Sequence, residues 1–182
     1  MLVIINGVNQ FDTFTWQDVL DLGTWQEVLS YTWYEIYVKS NNILMESPTP
    51  ETSAIISNGV IRLCQHHGIY IDSTNPVMVS NVFFDVFGKY TASSCGVLIV
   101  NGYGHSVMNS NIFGNSQGTT GIAITNLVQS CRVEGNNIQN CTYSTIWTDS
   151  IGSIITGNRL FGQDVTGSSE TNTIANNRYT AV

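Results

Sequence analysis

The sequence contains very little charge. Asp, Glu, Lys and Arg make up 10% of the 182 residues, whereas a typical soluble globular chain has about 25%. Six residues are Lys or Arg and thirteen are Asp or Glu, so the formal net charge is −7. A chain so poor in cations lacks the basic patch that binds nucleic acid, and its net charge opposes contact with anionic membranes. We therefore expect neither nucleic-acid nor membrane partners.

Long apolar runs and metal-ligand motifs are also missing. No segment reaches the roughly 18 consecutive apolar residues that a membrane-spanning helix needs. The four cysteines, Cys64, Cys95, Cys131 and Cys141, form no C-x-x-C pair, which disfavours a zinc site. We expect them to be small buried apolar residues in a chain that folds in a reducing cytoplasm and holds no metal or cofactor.

A repeated phrase rich in asparagine is present instead. VEGNNI (Val133–Ile138) and ITGNRL (Ile155–Leu160) both read apolar, any residue, small, Asn, any residue, apolar. Five further segments match, and successive copies lie 17 to 30 residues apart. The shared asparagines are Asn41, Asn58, Asn81, Asn111, Asn136, Asn158 and Asn177. Such a period predicts a solenoid, because a unit this short cannot bury its apolar face without stacking on its neighbours.

Each repeat also contains a second apolar segment. GIYID, GVLIV, GIAIT and STIWT, which begin at Gly68, Gly96, Gly121 and Ser144, alternate with period two and lack helical periodicity. A unit therefore consists of strand, turn, strand, asparagine turn and strand. We expect the asparagine to bend the chain, because Asn and Gly tolerate positive φ best. Stacked at about 4.8 Å, equivalent amides could also hydrogen-bond to one another.

This pattern resembles the right-handed parallel β-helix superfamily that includes pectate lyases and phage tailspikes. The resemblance covers roughly residues 38–182 and rests on the coil pattern and the asparagine turn. It implies an all-β chain with a right-handed parallel β-helix, or solenoid, of about six to seven coils. It bears on architecture far more than on activity.

Residues 1–37 differ from the rest and predict a cap on the solenoid. TWQDVL (Thr15–Leu20) and TWQEVL (Thr24–Leu29) each begin with Thr and carry an acid three residues later, an arrangement that starts helices. A β-helix end exposes strand edges that something must cover. We expect a short helical, aromatic cap, and Trp16, Trp25 and Trp33 are candidates for docking a partner.

No catalytic constellation stands out among the acids and histidines. Asp72 and Asp149 both follow the first strand of their coils, but about three coils, or roughly 14 Å, should separate them. That distance is too long for a glycosidase carboxylate pair. His66, His67 and His105 lie near turns, and we interpret them as solvated. The chain is therefore not expected to be an enzyme.

One column of outward side chains predicts a contact surface. If the alternate isoleucines and valines point inward, then Tyr70, Leu98, Ala123 and Trp147 point outward on successive coils. An apolar stripe on a surface this poor in charge needs a cover. It fits a subunit interface around a threefold axis, and a platform for sugar rings is the competing interpretation.

These features favour a non-enzymatic structural protein of a phage virion. The short β-helix resembles the non-catalytic use of the fold, as a homotrimeric capsid-decoration protein or a small tail spike or fibre. Its partners would then be other virion proteins, with a host surface polysaccharide as a further candidate, and the chain would fold in the host cytoplasm. The alternatives are a polysaccharide lyase or glycosidase of the pectate-lyase type, and a carbohydrate-binding module.

Overall fold

The structure, a computed structural model, describes residues 3–5, 8–10, 43–47, 53–64, 66–87, 93–115, 119–167 and 171–180. Strands β1 (Val3–Ile5) and β2 (Val8–Gln10) form an antiparallel hairpin, and β1 lies beside the first strand of the solenoid. The predicted helices at 15–20 and 24–29, and the first corner residue Asn41, lie outside the described residues.

The rest of the described chain winds through three parallel sheets, and each winding contributes one strand to each sheet. Sheet 1 contains β3 (Ile43–Ser47), β6 (Ile69–Ser73), β9 (Cys95–Tyr103), β12 (Thr120–Ile124), β16 (Ser144–Thr148) and β19 (Val165–Thr166). Sheet 2 contains β4 (Ala54–Ser57), β7 (Val77–Ser80), β10 (Ser106–Met108), β14 (Arg132–Glu134), β17 (Ile154–Thr156) and β20 (Thr173–Ala175). Sheet 3 contains β5 (Val60–Cys64), β8 (Phe83–Phe87), β11 (Asn111–Gly114), β15 (Asn137–Cys141), β18 (Arg159–Gly162) and β21 (Arg178–Thr180). A short additional strand, β13 (Val128–Gln129), pairs with the end of β9.

The fold is an all-β parallel solenoid, as the sequence predicts, with no helix among the described residues. It follows that no described helix could cross a membrane. We number the windings by their strands, so that the first contains β3–β5 and the sixth β19–β21. In the second to fifth windings, β6 to β18, the described inward side chains are almost fully buried. These about four closed windings are fewer than the six to seven coils expected, although six windings each contribute a strand to every sheet.

The core consists of columns of identical or similar apolar residues, one from each winding. In sheet 2 the register stacks Val79, Val107, Val133 and Ile155, and all four are fully buried. Sheet 3 stacks Phe84, Ile112, Ile138 and Leu160 in the same way. β-Branched side chains suit these positions because they pack well on a pleated surface. The columns end in the sixth winding, where Ile174 is 46% exposed and Tyr179 is 47% exposed.

The asparagine phrase forms the corner between sheets 2 and 3. Two consecutive positions of this corner have different roles, one as the bend and one as an inward side chain. The first position has positive φ in every described winding. Its residues are Asn58, Asn81, Asn109, Gly135, Gly157 and Asn176. The second position points inward, and its residues are Gly59, Val82, Ser110, Asn136, Asn158 and Asn177.

The six described asparagines of the seven expected therefore do not lie in one row. Asn58 and Asn81 occupy the bend, with φ of 56° and 54°, while Asn136, Asn158 and Asn177 occupy the inward position. Asn111 is displaced further, because it starts β11 and pairs in register with Asn137 on the outer face. The phrase tolerates such shifts since Asn can serve either as the residue with positive φ or as an inward hydrogen-bonding side chain.

The inward position forms a hydrogen-bonded ladder through the buried corner. The backbone N–H of Asn136 donates to Oδ1 of Asn158 (2.9 Å), and that of Asn158 donates to Oδ1 of Asn177 (3.0 Å). Ser110 and Val82 continue the ladder, donating to Asn136 Oδ1 (2.9 Å) and Ser110 Oγ (3.2 Å). The Nδ2 of Asn158 donates back to the carbonyl of Val133 (3.0 Å). Corner groups that no sheet can pair are thereby satisfied.

The corner between sheets 1 and 2 contains hydrogen bonds of the same kind, made by other residues. The N–H of Val77 donates to Nδ1 of His105 (3.1 Å). The N–H of Cys131 donates to Oγ of Ser153 (3.0 Å), and that of Ser153 to Oδ1 of Asn172 (2.8 Å). In both corners a side chain of one winding accepts a backbone N–H from the winding before it.

Replacing Asn158 by alanine should destabilise the fold strongly. The change leaves the N–H of Asn136 and the carbonyl of Val133 without these partners in a corner where Asn158 is 1% exposed. Each unsatisfied buried group costs about 1–3 kcal/mol, so we expect a loss of about 2–4 kcal/mol in denaturant unfolding. Asn137→Ala is the matched control, because its amide bonds Asn111 on the exposed surface. A loss for Asn158→Ala no larger than the control's would contradict the ladder.

Substitutions of Gly157 should measure the backbone strain of the bend without a contribution from contacts with neighbouring atoms. Gly157 has φ +66, and a Cβ at this position would have its nearest neighbouring atom 3.9 Å away, so only backbone strain opposes a side chain. We expect Gly157→Ala to lose about 1 kcal/mol of unfolding free energy. Gly157→Asn should lose clearly less, because Asn fills this position in four other windings. Equal losses for the two variants would show that the bend does not select Asn.

Candidate subunit interface

Four outward side chains of sheet 1 lie in one column. The strand register pairs Tyr70 with Leu98, Leu98 with Ala123, and Ala123 with Trp147. Equivalent residues on neighbouring strands lie about 4.8 Å apart. Ala123 is 5% exposed, and the other three are half-buried. The structure thus places all four predicted interface residues side by side.

The inward residues of the same strands fix the direction of this column. Ile69, Ile71, Val97, Ile99, Ile122, Ile124 and Ile146 are all fully buried. Because successive side chains of a strand point to opposite faces, the residues between them must lie on the outer face. The alternation of the sequence was therefore sufficient to predict which side chains are outside.

A staggered second column of apolar residues follows the first, at the corner after sheet 1, and the sequence interpretation missed it. Tyr103 is 59% exposed, Leu127 is 65% exposed and Ile151 is 53% exposed. Each comes four or five residues after Leu98, Ala123 or Trp147 on its own winding. Strand β13 and the bridge between Gln129 and Ile151 place Gln129 in register between Tyr103 and Ile151, so that Leu127 is offset by two residues along its winding. These three exposed residues lie near one another only because the three corners stack, so the sequence alone does not reveal the surface they form.

The two columns together form a face on the third to fifth windings, which we call the two-column face. Its residues are Leu98, Ala123, Trp147, Tyr103, Leu127 and Ile151. At about 3.3 Å per residue, the columns lie roughly 13 Å apart. The strip between them includes half-buried Val100, Thr125 and Asp149. A protein contact combines apolar patches with hydrogen-bonding groups, and this face offers both.

The described acids and histidines form no metal cluster. No group of three His, Cys, Asp or Glu side chains in the described ranges is arranged to hold a metal ion. Asp72 ends β6 of the second winding, and Asp149 follows β16 of the fifth. Two described ion pairs, Arg62–Asp85 at 3.5 Å and Arg132–Glu134 at 3.8 Å, lie on the surface.

Two of the three histidines are structural, which corrects their interpretation as solvated turn residues. His105 is fully buried, and besides accepting from Val77 its Nε2 lies 2.9 Å from the carbonyl of Asn101. The Nδ1 of His67 accepts the N–H of Cys95 (2.9 Å). The sequence places both beside a glycine at a turn, a position that does not distinguish a buried imidazole from a solvated one.

The cysteines are buried and free, as expected. Burial raises the pKa of Cys95, Cys131 and Cys141 to about 12. Their thiols therefore stay protonated near neutral pH and are poor nucleophiles and metal ligands.

The predicted docking residues Trp16, Trp25 and Trp33 lie outside the described residues. A different surface carries aromatic and cationic side chains that the sequence interpretation overlooked. On the outer face of sheet 3, the rings of Phe83 and Phe113 lie 5.4 Å apart. The guanidinium of Arg159 lies 4.7 Å from the ring centroid of Phe161.

Comparison with protein-family models, curated proteins and solved structures finds no match to this chain. The parallel solenoid itself is shown by the strand register. Function has to be argued from its surface.

Proposed function

We propose that this chain is a non-enzymatic structural protein that assembles as a homotrimer through sheet 1 and the corner that follows it. The observation that carries the proposal is the in-register column Tyr70, Leu98, Ala123 and Trp147. The exposed residues Tyr103, Leu127 and Ile151 lie beside this column, across a strip that contains Thr125 and Asp149. Exposed apolar residues grouped on one face of a domain commonly mark a protein contact.

The energetics support an interface with a few strong contacts. Burying a large apolar side chain contributes about 1.5–3 kcal/mol, and Trp and Tyr are the residue types most often found at the energetic centre of interfaces. The two columns span roughly 13 Å by 10–14 Å. A stable interface buries about 800 Å² per partner, so the polar residues around the columns must also take part.

The surface composition supports a place on a particle assembled from many protein copies. Neutral polar residues replace charge over most of the sequence, and the solenoid resembles the virion β-helices. We therefore propose that the trimer is a virion component, as a capsid-decoration protein or a small tail spike or fibre. Residues 1–37, with Trp16, Trp25 and Trp33, would dock it to other virion proteins.

Glycan binding is a second candidate, favoured by the outer face of sheet 3. Aromatic rings at Phe113 and Phe161 flank Gln139, and Arg159 lies over Phe161. Rings, amides and a guanidinium on one flat surface can stack on sugars and hydrogen-bond to them. Glycan-array binding that is lost in Phe161→Ala would support this role, and binding lost in Trp147→Ala would place the sugar on the two-column face.

Leu98→Asp should break assembly more than folding. The side chain is half-buried on the outer face in the single chain, and a carboxylate there would be desolvated between subunits. We expect the wild type to sediment as a trimer at micromolar concentration and Leu98→Asp to sediment as a monomer. Thermal unfolding followed by circular dichroism should show that the variant keeps its β structure.

Ile154→Asp is the matched control for this experiment. Ile154 is an outward apolar residue, 39% exposed, on sheet 2 and therefore on a different sheet from Leu98. The Ile154→Asp variant should remain a trimer, whereas Leu127→Asp should weaken the trimer as Leu98→Asp does. A wild-type monomer at micromolar concentration, or a Leu98→Asp variant that assembles like wild type, would remove the proposal.

A further inference from the structure

Two histidines hydrogen-bond across the same boundary between windings. His67 lies just before β6 and accepts the N–H of Cys95, the first residue of β9. His105 follows β9 and accepts the N–H of Val77, the first residue of β7. Both bonds join the second winding to the third, at two different corners. We call this boundary the histidine seam.

Both imidazoles must be neutral to make these bonds. Each Nδ1 accepts a backbone N–H, so it cannot carry a proton of its own. In His105 the proton then sits on Nε2, which donates to the carbonyl of Asn101 at 2.9 Å. Adding a proton to Nδ1 would turn an acceptor into a donor that faces another N–H, and in fully buried His105 it would also place a charge away from water.

The surroundings offer these rings little compensation for a positive charge. His67 faces the ring of His66 at 5.9 Å and that of Tyr70 at 6.1 Å. The carbonyls of Asn101 and Ser73 face His105, and the next winding places Cys131 at the equivalent position. Among the described residues, no carboxylate pairs with either imidazole.

We propose that the histidine seam is an acid-sensitive joint, at which protonation of His67 and His105 weakens the contact of the second winding with the third while the fourth and fifth stay stacked. In the later windings, Ser153 and Asn172 are the acceptors at the corner of His105, and Asn158 and Asn177 are the acceptors at the corner between sheets 2 and 3. These side chains do not titrate in the physiological range. Acid therefore acts on one boundary of the solenoid.

The pH range follows from the direction of the shifts. Burial, with a smaller contribution from His66, lowers the pKa of His67 from 6.5 to about 4. Burial also lowers the pKa of His105, and the carbonyls of Asn101 and Ser73 oppose this only in part. A group whose pKa is lower in the folded state stabilises the fold fully above its unfolded pKa. The seam is thus strongest above pH 6.5 and weakens as the pH falls toward 4.

Amide hydrogen exchange between pH 7 and pH 4.5 tests this joint directly. Protection factors, which correct for the intrinsic pH dependence of exchange, are compared for the amides of Val77 and Cys95. Those of Asn136 and Asn158, whose acceptors are asparagine oxygens, serve as the reference. We expect protection at Val77 and Cys95 to fall by about tenfold or more below pH 6.5, because opening takes up protons. Protection at Asn136 and Asn158 should not change.

Variants with asparagine identify the groups responsible. In His67→Asn and His105→Asn, the amide oxygen can take the place of Nδ1 as acceptor, as Asn172 does for Ser153. We expect the double variant to lose the pH dependence, and the control His66→Asn to keep it. The proposal is overturned if wild-type protection at Val77 and Cys95 is constant down to pH 4.5. It also fails if Asn136 and Asn158 lose protection in parallel, or if the double variant responds to acid as wild type does.

Discussion

The acceptance of a corner N–H by a side chain of the next winding is the interaction on which this solenoid depends. Neighbouring windings pair their backbone groups within the sheets and at most corner positions, but at one position of each of these two corners a backbone N–H has a side chain as its acceptor. A buried N–H without a partner costs about 1–3 kcal/mol, and the cost would recur at every winding. Ser110, Asn136, Asn158 and Asn177 remove it at one corner, and His105, Ser153 and Asn172 at another. Each winding is thus completed only when the next one is added.

In-register stacking also gives a physical reason for the low charge of the sequence. Every outward residue lies about 4.8 Å from its equivalents above and below. Like unit charges at that distance repel by about 3 kcal/mol at an effective dielectric constant of 20 and by about 1 kcal/mol in water. Opposite charges in register, at Arg62 and Asp85, form an ion pair. Like charges do meet in register at two described places, Glu46 with Asp72 and Arg159 with Arg178. Neutral amides and hydroxyls can occupy a column without repulsion, and Asn137 donates to Asn111 across one of them.

The sequence predicted the architecture and the outer column because both depend on simple periodicities. Alternation with period two places Ile69, Ile71 and their equivalents inside, which fixes Tyr70 and Leu98 outside. It predicted the corner less well, because Asn suits two adjacent positions and the phrase does not say which one it fills. Asn111 shows the limit, since Asn109 provides the bend and Ser110 the inward side chain in that winding. The Tyr103, Leu127 and Ile151 column and the buried histidines depend on which corners stack, and local sequence carries no signal for that.

The histidine seam and the two-column face lie at different points along the solenoid, so the proposed pH response and the proposed assembly belong to different windings. The two-column face belongs to the third, fourth and fifth windings, and apart from His105 of the third winding the corner acceptors of these windings are serine and asparagine side chains that acid does not change. The histidine seam lies directly before them, and of the proposed interface residues only Tyr70 is on its far side. Weakening the seam would therefore loosen the N-terminal windings, together with the segment proposed for docking, from a trimer that stays assembled. Acid would then affect docking but not assembly, because histidines bond the windings next to the docking segment and serines and asparagines bond the later windings of the interface.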